Sequence, residues 1–385
     1  MNQLINVNSK LNLNIEFNDL NAQWQLIKEG AIQRIDALFK DSYFIRGKDI
    51  AIFEANYAKW NNTKYAIGCS NGTDAIKLAL MGMNLKGSVS FYIPANTFIA
   101  TIAAAEHAYP EASMHLIDCD NYFQMDMDLL EESLSKNRTK SKHAVIIPVH
   151  LYGHTVDIKK VKSLASKYEC IIIEDSSQAH GAVGEGDVMV GSFGRASCFS
   201  LYPGKNLGAA GDAGVITTND ESIKNRVFAL RNLGSEIKYH HEIKGFNNRL
   251  DTFQAIIVDE KLKYIDTWND MRNDVIKKYE KLIRHQHVLL PKRANYCQKH
   301  VYHIYCVRIT NGKRQEFQKY LKDNGIPTVI HYPIPIEETK AYSYLNVYNQ
   351  NTRNWAREII SLPIHPFLKN SEIEYISEVI NNWKV

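Results

Sequence analysis

The residues of this chain best suited to chemistry are an acid and a lysine, each closing an apolar run. Ile171-Ile172-Ile173-Glu174-Asp175 ends on carboxylates and opens into the loop Ser176-Ser177-Gln178-Ala179-His180-Gly181. A strand that stops this way puts Asp175 at the carboxyl edge of a sheet, where α/β folds bind their ligands. Cys198-Phe199-Ser200-Leu201 then hands over to Tyr202-Pro203-Gly204-Lys205-Asn206-Leu207-Gly208, a Pro-Gly turn presenting one lysine among small residues. Backbone holds such a lysine in place, and partial desolvation lowers its pKa and makes the amine a better nucleophile. Upstream, Ser70-Asn71-Gly72-Thr73-Asp74-Ala75 is a Gly-Thr turn entering a helix, a ready site for an anion. Each piece alone is an ordinary turn or cap. Together they supply a lysine to form an imine, an acid to hold a pyridinium proton, and a phosphate cradle at Gly72, Thr73 and Ser200. Those are the groups that pyridoxal 5'-phosphate requires.

Positioning them demands a sheet. Between about 60 and 260, apolar runs alternate with helical patterns, and the strand candidates are Val89–Ile93, Met114–Ile117, Ala144–Val149, Cys170–Ile173, Cys198–Leu201 and Gly214–Thr217. Runs apolar on both faces with helices between them indicate a mostly parallel sheet covered on both sides. Ahead of it, Trp24, Ile27, Ala31, Ile35 and Leu38 form one helical stripe, preceded by a loose polar lead-in over residues 1–16. Lys261–Arg284 reads as one long charged helix. After it come an alternating strand, His303–Ile309, a helix over Arg314–Asn324, a strand over Thr328–Tyr332 and a terminal helix, Glu372–Trp383. The expected organisation is a large α/β domain over 17–260 and a small C-terminal α+β domain over 261–385.

Composition excludes several classes. The 385 residues carry 46 Lys+Arg against 42 Asp+Glu, a net +4 too weak for a polyanion-binding surface, so no nucleic-acid partner is expected. No stretch approaches 18 consecutive apolar residues, so no membrane span is expected. The Asn-rich N-terminus has neither a basic nor an apolar segment of the secretory kind. The six cysteines form no Cys-x-x-Cys and no His-Glu-x-x-His occurs, so no metal site is expected; the thiols read as free and buried, in a reducing cytoplasm. Gly181-Ala182-Val183-Gly184-Glu185-Gly186 breaks the dinucleotide-binding spacing.

In order, the motifs identify the chain as similar to the pyridoxal-phosphate sugar aminotransferases of the DegT/DnrJ/EryC1 family, within the aspartate aminotransferase fold (fold type I). The resemblance runs from Phe17-Asn18-Asp19-Leu20 to the C-terminal helix. It is carried by Phe53-Glu54 with Ala58, Asn71-Gly72-Thr73-Asp74-Ala75, and Pro94-Ala95-Asn96-Thr97-Phe98-Ile99-Ala100-Thr101. Further matches are Glu174-Asp175 with Gln178-Ala179-His180-Gly181, Ser200 with Lys205-Asn206, Gly245–Asp251, His331-Tyr332-Pro333 and Leu362–Pro366. The resemblance implies that Lys205 is the cofactor-linked lysine and that Asp175 pairs with the ring nitrogen. It places Gln178 by the phenolic oxygen, Phe98 stacked on the ring, and Asn247 at the phosphate of a partner subunit, which means a homodimer with shared sites. Gly87-Ser88-Val89-Ser90-Phe91 and Gly194-Arg195 depart from frequent family patterns without removing a catalytic group.

A few family members replace the lysine with histidine and act as 3-dehydratases; Lys205 places this chain with the transaminases. The implied reaction is ping-pong transfer from L-glutamate to a nucleotide-linked keto sugar, with Lys205 as base and then acid. Tyr202–Ala209 with Gly211-Asp212-Ala213-Gly214 resembles the subgroup acting on dTDP-3-oxo-6-deoxyhexoses, which supplies amino sugars to surface glycans such as lipopolysaccharide O-antigen. The alternatives are a 4-aminotransferase on a 4-keto nucleotide sugar and a non-catalytic cofactor-binding regulator. Tyr239, His240, His331 and Tyr332 are the candidates to contact the sugar or its pyrophosphate.

Overall fold

A computed structural model describes residues 14–237 and 239–384. The expected polar lead-in and the N-terminal segment therefore lie almost wholly outside the described residues. Seven strands form the main sheet: β1 Tyr65–Cys69, β2 Val89–Pro94, β3 Ser113–Ile117, β4 His143–Ile146, β5 Ile171–Asp175, then β8 Ala196–Ser200 and β9 Gly214–Thr218. Between β5 and β8, the short strands β6 Val183–Gly184 and β7 Val188–Met189 form a hairpin. The sheet order is β1-β9-β8-β5-β4-β2-β3. Only β9 runs against the rest, pairing antiparallel with both β8 and β1. The sheet is thus mostly parallel, as expected.

Alternate residues of its central strands feed two cores. Phe91, Ile93, Val145 and Ile173 pack on one face, against helices α3 Gly72–Gly82, α4 Ala100–Ala108 and α7 Glu221–Leu230. Tyr92, Ile146 and Ile172 pack on the other, against α5 Met127–Asn137 and α6 Ile158–Lys167. Each fully buried Ile, Val or Phe contributes about 1.5–3 kcal/mol relative to exposure, so both faces fix the register that sets the strand ends. The helices α1 Leu20–Asp41, α2 Lys48–Trp60 and α8 Thr252–Leu262 pack together beside this sheet. There Arg34 bridges Asp49, Asp259 and Glu260 at 2.6–2.8 Å.

The C-terminal part has its own three-stranded sheet, ordered β10-β12-β13, from β10 Val288–Leu289, β12 Tyr305–Ile309 and β13 Ile359–Leu362. It packs with α9 Ile265–Leu282, α10 Arg314–Asp323 and α12 Asn370–Asn381 around Tyr279, Tyr305, Phe317, Ile360 and Ile376. β11 Cys297–Lys299 crosses back to pair with β6. Asp118, at the end of β3, accepts from the backbone N–H groups of Asn351 and Thr352 at 2.8 and 2.9 Å, capping α11 Gln350–Glu358 from the other sheet.

Four expectations need correction. The helix read over Lys261–Arg284 is two helices, α8 and α9, broken at Lys263-Tyr264. Thr328–Tyr332 is not a strand; it makes one bridge, Val329 with Ser361, because Pro327 and Pro333 bracket it and remove ladder donors. β4 stops at Ile146, two residues before Pro148, short of Val149. Tyr65–Cys69, absent from the expected strands, is an edge strand against β9. Among the described residues no helix is long and apolar enough to cross a membrane. All six cysteines are free; five are buried and Cys170 is half-buried.

Candidate active site

Parallel pairing of β5 and β8 sets Asp175 opposite Cys198, so Asp175 and Ser200 finish neighbouring strands at the same sheet edge. The turn after β8 is closed by the Lys205 N–H donating to the Tyr202 carbonyl at 2.9 Å. Gly208 lets it fold back: a Cβ there would lie 2.2 Å from the Pro203 carbonyl oxygen. This turn delivers Lys205 toward Asp175. Burial pushes the Lys205 amine down to about 8, with the Asp175 charge opposing the shift. Among the described residues nothing hydrogen-bonds its Nζ, so a nucleophilic amine stands ready beside a carboxylate.

The Asn71 side chain caps α3 by accepting from the Asp74 N–H at 2.8 Å, leaving the first N–H groups of α3 directed out of the helix end. Gly72 has no room for a side chain, since a Cβ would sit 2.6 Å from the Ser200 Cβ. The Ser200 hydroxyl therefore lies against the start of α3 beside Gly72 and Thr73, so a hydroxyl and the N–H groups of a helix entry stand together as an anion site. Gln178 is locked in orientation: its Oε1 accepts from the Tyr152 N–H at 2.7 Å, so its Nε2 is the donor facing inward, to the Tyr332 hydroxyl at 3.0 Å. Burial raises the Tyr332 phenol well above its ordinary range. Phe98 is 52% exposed and lies 5.4 Å from the Tyr332 ring, tilted by 35°. A half-exposed phenylalanine at this edge has an open face for a planar ligand.

The imidazoles around Lys205 are neutral. Burial and the Lys205 charge hold His331 at about 4 and His180 at about 3. His180 packs 5.1 Å from Phe199, and neither ring nitrogen meets a partner. The Lys205 amine, the α3 cradle, the Asp175 carboxylate and the open Phe98 face together fit pyridoxal phosphate.

The structure thus brings together Lys205, Asp175, Gln178, Ser200, Gly72, Thr73, Phe98, His331 and Tyr332. Tyr239, His240 and Asn247 are on a largely exposed excursion described over 233–237 and 239–247, Tyr239 being 80% exposed. Sequence reasoning assigned no role to Thr97, Thr101, Tyr152, Asn206 or His303. Asn206 donates to Asn269 Oδ1 and the Val301 carbonyl at 2.8 and 2.9 Å, which leaves its Oδ1 for His303 Nδ1 at 3.2 Å. The residue after the lysine thereby ties the turn to α9 and the small sheet's approach. Only the 97–101 pair left a local signal, two threonines one helical turn apart at the same sheet edge.

A sequence profile of the DegT/DnrJ/EryC1/StrS aminotransferase family matches residues 25–381. The dTDP-3-amino-3,6-dideoxy-alpha-D-galactopyranose transaminase of Aneurinibacillus thermoaerophilus is 37% identical over 373 residues, 96% of this chain and 98% of that protein. A protein of Geobacillus stearothermophilus described as a pleiotropic regulatory protein is 34% identical over 376 residues, with 96% and 98% covered. Among solved structures, S. venezuelae DesV in complex with a ketimine intermediate superposes with a TM-score of 0.89 at 31% identity, covering 96% of this chain and 98% of that one.

Proposed function

Because the chain belongs to the DegT/DnrJ/EryC1/StrS aminotransferase family, we propose that it transfers the amino group of L-glutamate to a dTDP-3-oxo-6-deoxyhexose. The product is a dTDP-3-amino-3,6-dideoxyhexose of the kind used in surface glycans, O-antigen included. The observation that carries this reading is Lys205, a desolvated amine with no hydrogen-bond partner among the described residues, held beside Asp175 at the sheet edge. It is joined by the full-length similarity to a dTDP-3-amino sugar transaminase. An intact lysine, acid and cradle favour catalysis over a purely regulatory role, despite the relative described as a regulator.

The cofactor is pyridoxal phosphate, whose ring, when bound, accepts the electron pair released at the donor's Cα. Gly72, Thr73 and Ser200 would hold its phosphate, joined by Asn247 from a second copy of the chain. Asp175 would keep the ring nitrogen protonated, Gln178 would donate from Nε2 to the phenolic oxygen, and Phe98 would cover one ring face. Lys205, neutral through a substantial fraction of molecules near pH 8, takes the proton from the donor's Cα. In the second half-reaction it returns one to C3 of the sugar. His331 and Tyr332 border the amine, while Tyr239 and His240 reach the nucleotide-sugar side. We read residues 17–260 as the cofactor-binding domain and 261–385 as the small one, in a cytoplasmic homodimer.

The test supplies glutamate and a dTDP-4-keto-6-deoxyglucose, with and without a 3,4-ketoisomerase, and locates the new nitrogen by NMR. Amination at C3 that depends on the isomerase is expected. Efficient amination at C4 without it replaces this reading with the 4-aminotransferase.

A further inference from the structure

Behind Asp175 stand two hydroxyls that no step above uses. Thr101 donates from Oγ1 to Asp175 Oδ2 at 2.7 Å, and the Oγ1 atoms of Thr97 and Thr101 are 3.0 Å apart. All three side chains are buried: Thr101 is 0%, and Thr97 and Asp175 are each 5% exposed. The direction of the chain is fixed. A carboxylate only accepts, so Thr101 spends its one proton on Asp175, and Thr97 must donate to Thr101. The other carboxylate oxygen, Oδ1, accepts from the Ser177 N–H at 3.1 Å.

We propose that Thr101, backed by Thr97, is a positioning residue that holds the Asp175 carboxylate as an oriented anion for the cofactor's ring nitrogen. The inference rests on the reading of Asp175 given above. In so buried a site, a carboxylate facing a pyridinium has two arrangements, the ion pair and the neutral pair in which the proton has crossed to oxygen. Donors to the carboxylate favour the ion pair. Oδ1 and Oδ2 are tied from different elements, the loop after β5 and the first turn of α4, so the plane of the group cannot rotate. Removing the Thr101 hydroxyl frees one oxygen and shifts the pair toward neutrality.

The decisive comparison uses apoprotein and two cofactors: pyridoxal phosphate, and its 1-deaza analogue, in which carbon replaces the ring nitrogen. Dissociation constants are measured for wild type, Thr101→Val, Thr101→Ser and Thr97→Val. Wild type should prefer the natural cofactor, and that preference isolates the contact between Asp175 and the ring nitrogen. In Thr101→Val the preference should shrink by about tenfold, with affinity for the deaza analogue unchanged. Thr101→Ser should restore it, and Thr97→Val should lie between. In the loaded proteins, ¹⁵N NMR of the labelled ring nitrogen should move toward the unprotonated value most in Thr101→Val, less in Thr97→Val, and not in Thr101→Ser. Equal weakening of both cofactors means a merely structural threonine and overturns the proposal, as does an unchanged preference. A wild type that shows no preference at all sinks the Asp175 reading itself, a separate failure.

Discussion

The Lys205 cluster and the 233–247 excursion are built on opposite principles. Around Lys205, polar side chains are buried and tied: Asp175, Thr101 and Gln178 each hold hydrogen bonds inside the same chain. On the excursion, Ile243 and Phe246 pack against the main core, but Leu233, Ile237 and Tyr239 face outward, 46%, 70% and 80% exposed. Its backbone is nonetheless ordered by ladder-like bonds, Leu233 N–H to the Phe246 carbonyl and Phe246 N–H to that of Leu230. Four residues past it, the bridge between Ile45 and Asp251 meets a second exposed apolar corner, where Tyr43 is 70% and Phe39 63% exposed. An ordered surface of this kind is rarely left to water. In our reading, Lys205, Asp175 and Gln178 of one site come from a single chain, whereas the face carrying Asn247 serves a second copy.

Breaking the first region should have the largest effect. Lys205→Ala removes the base that our reading assigns to the donor's Cα proton, so turnover should fall on the order of 10³-fold or more. Borohydride reduction of the wild type should fix the cofactor covalently to Lys205, and peptide mapping reads the site. Label on another lysine would refute the assignment.

How far these regions could be read from sequence also differs. Lys205, Asp175 and the Gly72-Thr73 turn were legible because each is a local event, a strand end or a helix entry, whose residues stand together in the chain. The contact of Thr101 with Asp175 is not legible in the sequence because the two stand 74 positions apart, and periodicity says nothing about which strand end faces which helix. His303 and Asn206 meet across 97 positions for the same reason. The break at Lys263-Tyr264 was hidden by continuous helical polarity, since a change of direction between α8 and α9 is set by two different cores. Tyr65–Cys69 was missed as a strand because it is short and contains Gly68. Its pairing with β9 is long-range.

The second region can be sharpened by mixing. If Asn247 crosses to the phosphate of the other copy, Asn247→Ala should weaken cofactor retention by about tenfold. Heterodimers of Lys205→Ala and Asn247→Ala should regain up to half of the wild-type activity per site, because one of the two sites is then intact. The readout is activity after dissociation and reassociation of the two variants. No recovery, or a monomer by sedimentation at assay concentration, would remove the shared site from the account.

The smallest effect returns to the buried amine and asks what its placement costs. Lys205 titrates at about 8 in the folded apoprotein against an ordinary 10.5. Below pH 8 both folded and unfolded chains hold the proton, and the folded state bears the full penalty of a desolvated ammonium. Between about 8 and 10.5 the unfolded chain binds a proton that the folded chain has released, so this group's contribution to stability rises with pH. Above 10.5 the penalty is gone. Lys205→Met keeps the volume and removes the titration, so apoprotein of this variant should melt roughly 2–4 °C above wild type at pH 7. The gap should close as pH approaches 10.5. Lys261, also held near 8 by burial, titrates in both proteins and cancels in the difference. A gap that stays constant with pH would mean that the amine is solvated in the apoprotein. The nucleophile would then have to be activated by the bound cofactor and partner rather than by the burial that the turn at Gly208 enforces.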